Sequence, residues 1–391
     1  MSENNSKEKV TVLGVGTGGC KIAAELARTS SAGRLKIVLI DTDEKALSNF
    51  SNHQQMLIGS DWTDKQGCGG DMSRGEKAAG ASSLALSDII ENTELLIVVS
   101  PLGGGTGSGT VPLIATIARR LKVLSLFFVT RPFSFEGNLK FKNADKCLKG
   151  LIKTADAVIS LENDILFKNL SGNINSDFKE ADKTLAECVG GISEMLFTEG
   201  LITIDFTHIK QLLKKRDADC HIGIGRALGE KKNDAVITDL LSCPTLGGSE
   251  TLENCNTAIV TLLAGPDLSI NDINSCISKI KELFSEDCEV NVGVATSSDR
   301  ENYLQLTVLT IKDRRKQSRQ EELSAAPKKQ SRRKLPKKEK KEATVYNIQG
   351  ELPLQELTSG IFENSSPTMH NGQNLDIPTY LRQGLTLDIG E

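Results

Sequence analysis

Aromatic residues are scarce, at 4% of the chain with Trp62 the single tryptophan, so any core must be built from aliphatic side chains. The nine cysteines (20, 68, 147, 188, 220, 243, 255, 276 and 288) are odd in number, scattered, and form no CxxC pair. That pattern argues against a disulfide framework or a zinc site and for reduced thiols, buried or half-buried. No stretch approaches the roughly 18 uninterrupted apolar residues of a membrane span. The opening MSENNSKEKVTVLGVG also lacks the basic-then-apolar layout of a signal peptide, so a soluble, cytosolic chain is expected. There is no internal repeat and no GxxxxGK[ST] phosphate loop. Charge of one sign is missing too: 47 basic and 51 acidic residues leave a net −4. It is unevenly spread, with +8 from Asp313 to Glu342, −5 from Ala343 to Glu391, and hence −7 over the first 312 residues. A nucleic-acid-binding core is thereby disfavoured, and the basic run is expected to be a solvated spacer.

What the chain does have is length and glycine: 391 residues, 38% of them apolar, and 34 glycines, enough for two domains with a core each. Short apolar runs at KVTVL (9–13), KIVLI (36–40), ELLIVV (94–99), VLSLFFV (123–129) and AVISL (157–161) alternate with helical patterns, including 111–121 and 144–154. Such alternation predicts a parallel sheet covered by helices on both faces. Phe178, Ala181, Leu185, Val189, Ile192 and Leu196 recur at spacings of three and four, predicting one long helix over 177–199, about 33 Å long. A second, smaller α/β segment follows, with strands at 221–225, 257–264, 289–295 and 304–311 and helices near 228–242 and 270–285. From 313 to 373 the chain is basic, then polar, and reads as a disordered linker ahead of a short apolar island, LDIPTYL (375–381).

Two glycine clusters fall at the ends of predicted strands, where open α/β sheets bind ligands. GGGTGSG (103–109) offers backbone N–H groups to phosphate oxygens at a helix N-terminus, so a phosphate cradle is expected there in preference to a flexible turn. GVGTGG (14–19) has the register of the dinucleotide fingerprint, with Asp41 at the end of the next strand where a ribose-binding acid would sit. An NAD-dependent oxidoreductase is therefore a remote alternative. It leaves the second glycine loop, the long helix and the tail unexplained.

GVGTGG, DTDEKAL (41–47), PLGGGTGSG (101–109), VTRPFSFEG (129–137), END (162–164), DFKEAD (177–182), GLITIDF (200–206), HIGIGRALGE (221–230) and SCPTL (242–246) occur in this order. In that set and order the chain resembles the tubulin/FtsZ superfamily over about residues 9–312, and LDIPTYLR (375–382) is similar to the C-terminal peptide of the FtsZ branch. The resemblance implies a tubulin-like α/β fold: a Rossmann-type GTP-binding domain (9–176) behind a short tail (1–8), a central helix (177–199) and a smaller α/β domain (200–312). The linker (313–373) and a partner-binding peptide (374–391) would complete it. GTP or GDP with Mg²⁺ would be the ligand, the metal carried by the nucleotide with no direct protein ligand assigned. Phosphate contacts fall on Gly16, Thr17, Gly18, Gly104, Gly105, Thr106 and Gly107, with Asp43 in the nucleotide-binding set. Glu136 would contact the ribose, and Asn163 lies in the sugar and base region. Lys140 stands where the family commonly has Arg, and Lys21 where it often has a base-contacting Asn. Phe178 would stack on guanine and Asp182 would accept its N1 and N2 protons, which adenine lacks. GCGGDM (67–72) matches the family's γ-phosphate loop only loosely.

If Phe178 and Asp182 read the base, the polar loop 203–208 lies about 30 Å away, past the other end of the long helix. Such a loop can serve only the nucleotide of the next subunit, in a head-to-tail contact that propagates as a filament. The family pattern there is N-x-D-F-x-D, whereas this chain reads T-I-D-F-T-H: Asp205 is kept, Thr203 replaces Asn, and His208 replaces the second acid. Imidazole can act as a base near neutral pH but cannot supply the lost negative charge. Slow, assembly-dependent GTP hydrolysis is expected, with a non-hydrolysing GTP-bound scaffold as the alternative. By resemblance the chain would act in the cytoplasm at the bacterial division site, recruited through 375–382 by membrane tethers and division regulators, without inserting in the membrane or binding nucleic acid.

Overall fold

The computed structural model describes residues 10–29, 35–168, 172–197, 200–202, 204, 206–213, 218–229, 232–267, 269–296, 301–313, 369–370 and 373–374. Thr203, Asp205, the N-terminal tail, linker residues 314–368 and the peptide 375–391 lie outside them, as does the side chain of His208.

Strand β1 (Val10–Val15) is buried at every position, as a strand covered on both faces requires. Helix α1 (Gly16–Leu26) follows it, then β2 (Lys36–Asp41), α2 (Glu44–Ser48), β3 (Gln54–Leu57), α3 (Ser60–Thr63), α4 (Met72–Ala81) and α5 (Ser83–Glu91). Next come β4 (Leu95–Pro101), α6 (Gly105–Leu121), β5 (Leu124–Arg131), α7 (Asn138–Thr154), β6 (Ala157–Glu162) and α8 (Asn163–Leu166). The six strands pair in parallel in the order β3-β2-β1-β4-β5-β6. Crossovers from β1 run toward one edge and those from β4 toward the other. A crevice therefore opens between the C-terminal ends of β1 and β4, and both glycine clusters sit there. Alternate residues feed two cores: Val10, Val12, Leu95, Ile97 and Val99 on one face, Leu13, Val15, Leu96 and Val98 on the other.

The long helix α9 (Ile174–Phe197) starts three residues before the expected position, because the Asn173 side chain caps it by accepting the Ser176 N–H at 3.0 Å. At about 1.5 Å per residue its 24 residues span about 36 Å. Ala181, Leu185, Val189 and Ile192 of the expected stripe are buried in one core with residues of β1, β4 and β5 and with Ile222, Ile259 and Leu309 of the second half, while the side chain of Leu196 lies outside the described residues. Phe178 departs from the stripe: it is 46% exposed.

The second half holds β7 (Gly200–Ile202), α10 (Phe206–Leu213), β8 (Ala218–Leu228), α11 (Lys232–Ser242), α12 (Ser249–Glu253), β9 (Thr257–Ala264), α13 (Ile270–Lys281), β10 (Glu289–Thr296) and β11 (Tyr303–Asp313). Its strand order is β8-β11-β9-β10-β7, joined to the first six where Val158 of β6 meets Asp219 of β8. Two expectations are corrected here. The helix expected near 228–242 spans Lys232–Ser242, and Leu228 instead ends β8, the full-length antiparallel partner of β11. His208 is not in a loop: α10 begins at Phe206, which places the His208 backbone in its first turn. At the end of the expected linker, β12 (Met369–His370) pairs antiparallel with β13 (Gln373–Asn374).

Helices α4 and α6 approach closely enough that only glycine fits. A Cβ at Gly75 would stand 2.2 Å from the Gly105 carbonyl oxygen, and one at Gly109 would stand 2.6 Å from the Met72 carbonyl oxygen. Gly75→Val is therefore expected to lower stability by about 1–3 kcal/mol, the usual cost of overpacking, as read from urea denaturation.

Candidate functional site

The two glycine clusters build one wall of a cavity of about 380 Å³. Helix α1 begins at Gly16, whose φ of +73° is a conformation that side-chain-bearing residues rarely adopt. Helix α6 begins at Gly105, with Gly104 as its N-cap. Both helices thus present their unpaired first-turn N–H groups and positive dipole ends to the same space. Gly16, Thr17, Gly18, Gly104, Gly105, Thr106 and Gly107 all line it, as the sequence predicts. The glycine density has a further cause, which pattern reading missed. Gly105, Gly107 and Gly109 are needed for packing, since a Cβ at Gly107 would meet the Pro101 carbonyl oxygen at 2.7 Å. Gly104 alone of these faces open space, with nothing within 4 Å of the position a Cβ would take.

The wall is held by side-chain contacts that the motifs did not reveal. Thr42 and Thr106 share a hydroxyl–hydroxyl bond of 2.7 Å, tying the end of β2 to the first turn of α6. The Asn143 amide donates to the carbonyls of Gly70 and Gly103, each at 3.3 Å, and so joins the loose 67–72 loop to the glycine cluster. That loop, with Gln66 and the buried Cys68, does line the cavity.

Three carboxylates stand on this wall, and each is already engaged. Asp43 caps α2 by accepting the Ala46 N–H at 3.1 Å. Glu136 accepts the Phe133 N–H at 2.9 Å and pairs with Lys140 at 2.6 Å. Asp41 accepts from the Thr17 hydroxyl at 2.9 Å and from the Thr42 N–H at 2.7 Å. Burial pushes the Asp41 carboxyl above its usual range, opposed by those hydrogen bonds. At 2% exposure with both oxygens committed, Asp41 is not presented to a ribose, which removes the main support for an NAD site. No histidine is among the described residues lining this cavity. The cavity can hold a nucleotide, and each carboxylate among the described residues lining it already carries a hydrogen bond or ion pair.

Gly18, Pro101, Glu136 and Asn163 also line a second, adjoining cavity of about 660 Å³, so the two form one cleft. Here the scarce aromatics gather: Phe133, Phe135, Phe167 and Phe178 lie with ring centroids 4.8–6.0 Å apart. Phe178 and Asp182 come from the second and third turns of α9, and Lys21 from α1 faces the same space. Burial raises the Asp182 carboxyl to about 6; Lys21 pulls it down and Glu25 pushes it up. A flat apolar slot with a carboxylate at its side suits a purine that carries adjacent N–H donors. The cluster was legible only in part: RPFSF was read as a motif, and its phenylalanines, like Phe167, became a pocket only on folding.

The structure thus brings Lys21, Asp43, Glu136, Lys140, Asn163, Phe178 and Asp182 into one cleft with the phosphate wall. Thr203 and Asp205 are outside the described residues, and the His208 backbone belongs to α10, which follows α9 in the chain. Among the described residues no group of three His, Cys, Asp or Glu is arranged to hold a metal. A magnesium ion that keeps phosphate and water ligands fits such a wall, since it needs few protein donors.

Comparison with known proteins agrees with this geometry. Residues 9–171 match the GTPase domain of the Tubulin/FtsZ family, and residues 219–312 match the FtsZ family C-terminal domain. Cell division protein FtsZ 1 of Pyrococcus woesei is 32% identical over 304 residues, covering 78% of this chain and 82% of that protein. Cell division protein FtsZ of Pseudomonas aeruginosa is 29% identical over 302 residues, covering 77% of this chain and 76% of its own. Among solved structures, an empty FtsZ dimer from M. jannaschii superposes with a TM-score of 0.70 at 27% identity, over 79% of this chain and 89% of that one. A GTPgS-bound protofilament of CetZ2 from Haloferax volcanii shares the fold, with a TM-score of 0.63 at 21% identity, covering 81% of this chain and 97% of that one. From glycine loops to C-terminal domain, this chain belongs to the tubulin/FtsZ family of GTPases.

Proposed function

We propose that this chain binds GTP in the cleft, polymerises head to tail into the filaments of a division ring, and hydrolyses GTP at sites completed between adjacent subunits. The observation that carries the reading is the division of labour along α9. The cleft at its N-terminal end has two helix N-termini and a purine slot but no histidine among the described residues lining it, while the segment holding Thr203, Asp205 and His208 follows its C-terminal end in the chain. From Phe178 to Phe197 the rise is about 28 Å, too far for that segment to reach the nucleotide of its own subunit. The FtsZ relatives carry cell division in their names, and the CetZ2 neighbour is a protofilament, which supports the same assembly for this chain. Mg²⁺ would supply charge neutralisation on the phosphates; the helix N-termini orient them, and the Phe178 slot holds the base. Residues 375–382 would recruit membrane tethers and division regulators. No helix among the described residues is long and apolar enough to cross a membrane.

Competition against a fluorescent GTP analogue tests the ligand. GTP should displace it at least ~100-fold more effectively than ATP, and NAD should not compete. Equal displacement by ATP would remove guanine from the account.

His208 favours a second reading, a GTP-bound scaffold that hydrolyses slowly or not at all, because the expected second acid is missing. Restoring it separates the two. The His208→Asp variant should raise turnover about tenfold or more if the loss of charge limits the reaction, by the usual worth of a positioned base. Unchanged turnover would show that His208 imposes no limit.

A further inference from the structure

Two cysteines that the sequence keeps far apart meet at the edge of the second half. Cys255 lies between α12 and β9, and Cys288 immediately precedes β10. Strands β9 and β10 pair in parallel with Thr257 opposite Glu289, so their entry segments run side by side. Asn256 locks them together: its N–H donates to the Ile311 carbonyl at 3.0 Å, and its own carbonyl accepts the Glu289 N–H at 3.1 Å. Between these fixed backbones the two sulfurs lie 3.4 Å apart. Cys255 is buried, at 3% exposure, and Cys288 is half-buried, so the pair has one inner and one reachable thiol.

We propose that Cys255 and Cys288 form an oxidative modification site, closed to an intramolecular disulfide by low-molecular-weight disulfides of the glutathione class. The Cys288 thiolate attacks one sulfur of the small disulfide, forming a mixed disulfide and releasing a small thiolate that takes up the Cys288 proton. The Cys255 sulfur then attacks the Cys288 sulfur, forms the 255–288 bond and expels the second small thiol, which carries the Cys255 proton. Two protein thiols are oxidised and one small disulfide is reduced to two thiols. The approach needed is about 1.3 Å, from 3.4 Å to the ~2.05 Å of a disulfide. The order of attack follows from access: Cys288 is half-buried and Cys255 is buried. The hydrogen bond between the two sulfurs agrees with it, holding the Cys288 thiol below its usual range and the Cys255 thiol above it.

A competing pair exists. Cys188, 1% exposed, and the half-buried Cys243 also combine one inner and one reachable thiol, and both contact the Thr245 hydroxyl, at 3.2 and 3.1 Å. The site proposed is the pair whose sulfurs face each other directly between locked strand entries, with no hydroxyl shared between them, and it stands independently of the nucleotide reading.

The test uses the full chain, folded, incubated with oxidised glutathione, then alkylated and mapped by peptide mass spectrometry without reduction. The expected result is one dominant linkage between the peptides of Cys255 and Cys288, reversed by dithiothreitol. It should be absent from Cys255→Ser, where glutathione stays on Cys288. The proposal is overturned if wild type retains glutathione on Cys288 without forming the linkage, or if Cys288 of the Cys255→Ser variant takes up no glutathione. It is also overturned if the dominant linkage joins Cys188 to Cys243, or if the urea-unfolded chain yields the 255–288 linkage as readily as the folded one.

Discussion

A valine at position 104 is expected to lower GTP affinity at least ~100-fold while leaving the urea-unfolding transition of the empty chain within about 0.5 kcal/mol of the parent. The two halves of that expectation have separate causes. Gly104 has φ −78° and ψ 174°, an extended conformation open to any residue, and a Cβ there meets nothing within 4 Å. The fold has no reason to resist the change. The space it fills is the phosphate cavity, at the cap of α6, so the added methyl groups hold phosphate away from the first-turn N–H groups. Hydrogen bonds to a charged group are worth about 1.5–3 kcal/mol each, so losing two exceeds a factor of 100. The neighbouring substitution is the control. At Gly105 a Cβ would lie 2.5 Å from the Cys68 Cβ and 2.8 Å from the Asp71 carbonyl oxygen, so Gly105→Val should unfold at clearly lower urea. If the position-104 variant binds GTP normally, the cavity is not the phosphate site.

Asp182→Asn is expected to weaken GTP about 100-fold and ATP hardly at all, collapsing the selectivity between them. The carboxylate presents two acceptors to the N1 and N2 donors of guanine, whereas the amide keeps one acceptor, turns a donor toward the base and loses the charge. Acidity gives a second readout. Burial raises the Asp182 carboxyl to about 6, and only its ionised form accepts both bonds. GTP affinity should therefore hold above that pH and fall about tenfold per unit below it. The sign for the empty chain is opposite: a carboxyl raised by folding is costly when ionised, so that cost disappears as pH falls through about 6. Protonation of the nucleotide's own phosphate is common to parent and variant, so the difference between their pH profiles isolates Asp182. A parent profile that tracks the variant's would remove Asp182 from base recognition.

The parallel sheet, the long helix and the glycine wall of the cleft were legible in the sequence, because each rests on a local signal. Runs such as KVTVL and ELLIVV announce strands buried on both faces, and the glycine clusters mark their ends. Helix starts were read late. The helices predicted at 111 and 144 begin at Gly105 and Asn138, since glycine-rich or polar first turns carry no apolar periodicity. The base slot was half legible: Phe178 and Asp182 were placed by resemblance, but Phe133, Phe135 and Phe167 join them through contacts between separate elements. The engagement of Asp41 by Thr17 and Thr42 had no sequence signal, and it reverses the role that a dinucleotide fingerprint would assign. The Cys255–Cys288 contact was hidden for the same reason, because strand pairing across 33 positions of chain brings it about.

The account turns on a nucleotide site that one subunit leaves incomplete. Phosphate release from GTP with Mg²⁺, measured across a series of protein concentrations alongside sedimentation, tests it most directly. The account predicts no release below a threshold, then a linear rise that begins where polymer first sediments. Release strictly proportional to concentration from the lowest point, with nothing sedimenting, would mean that each subunit hydrolyses GTP alone and would contradict the shared site.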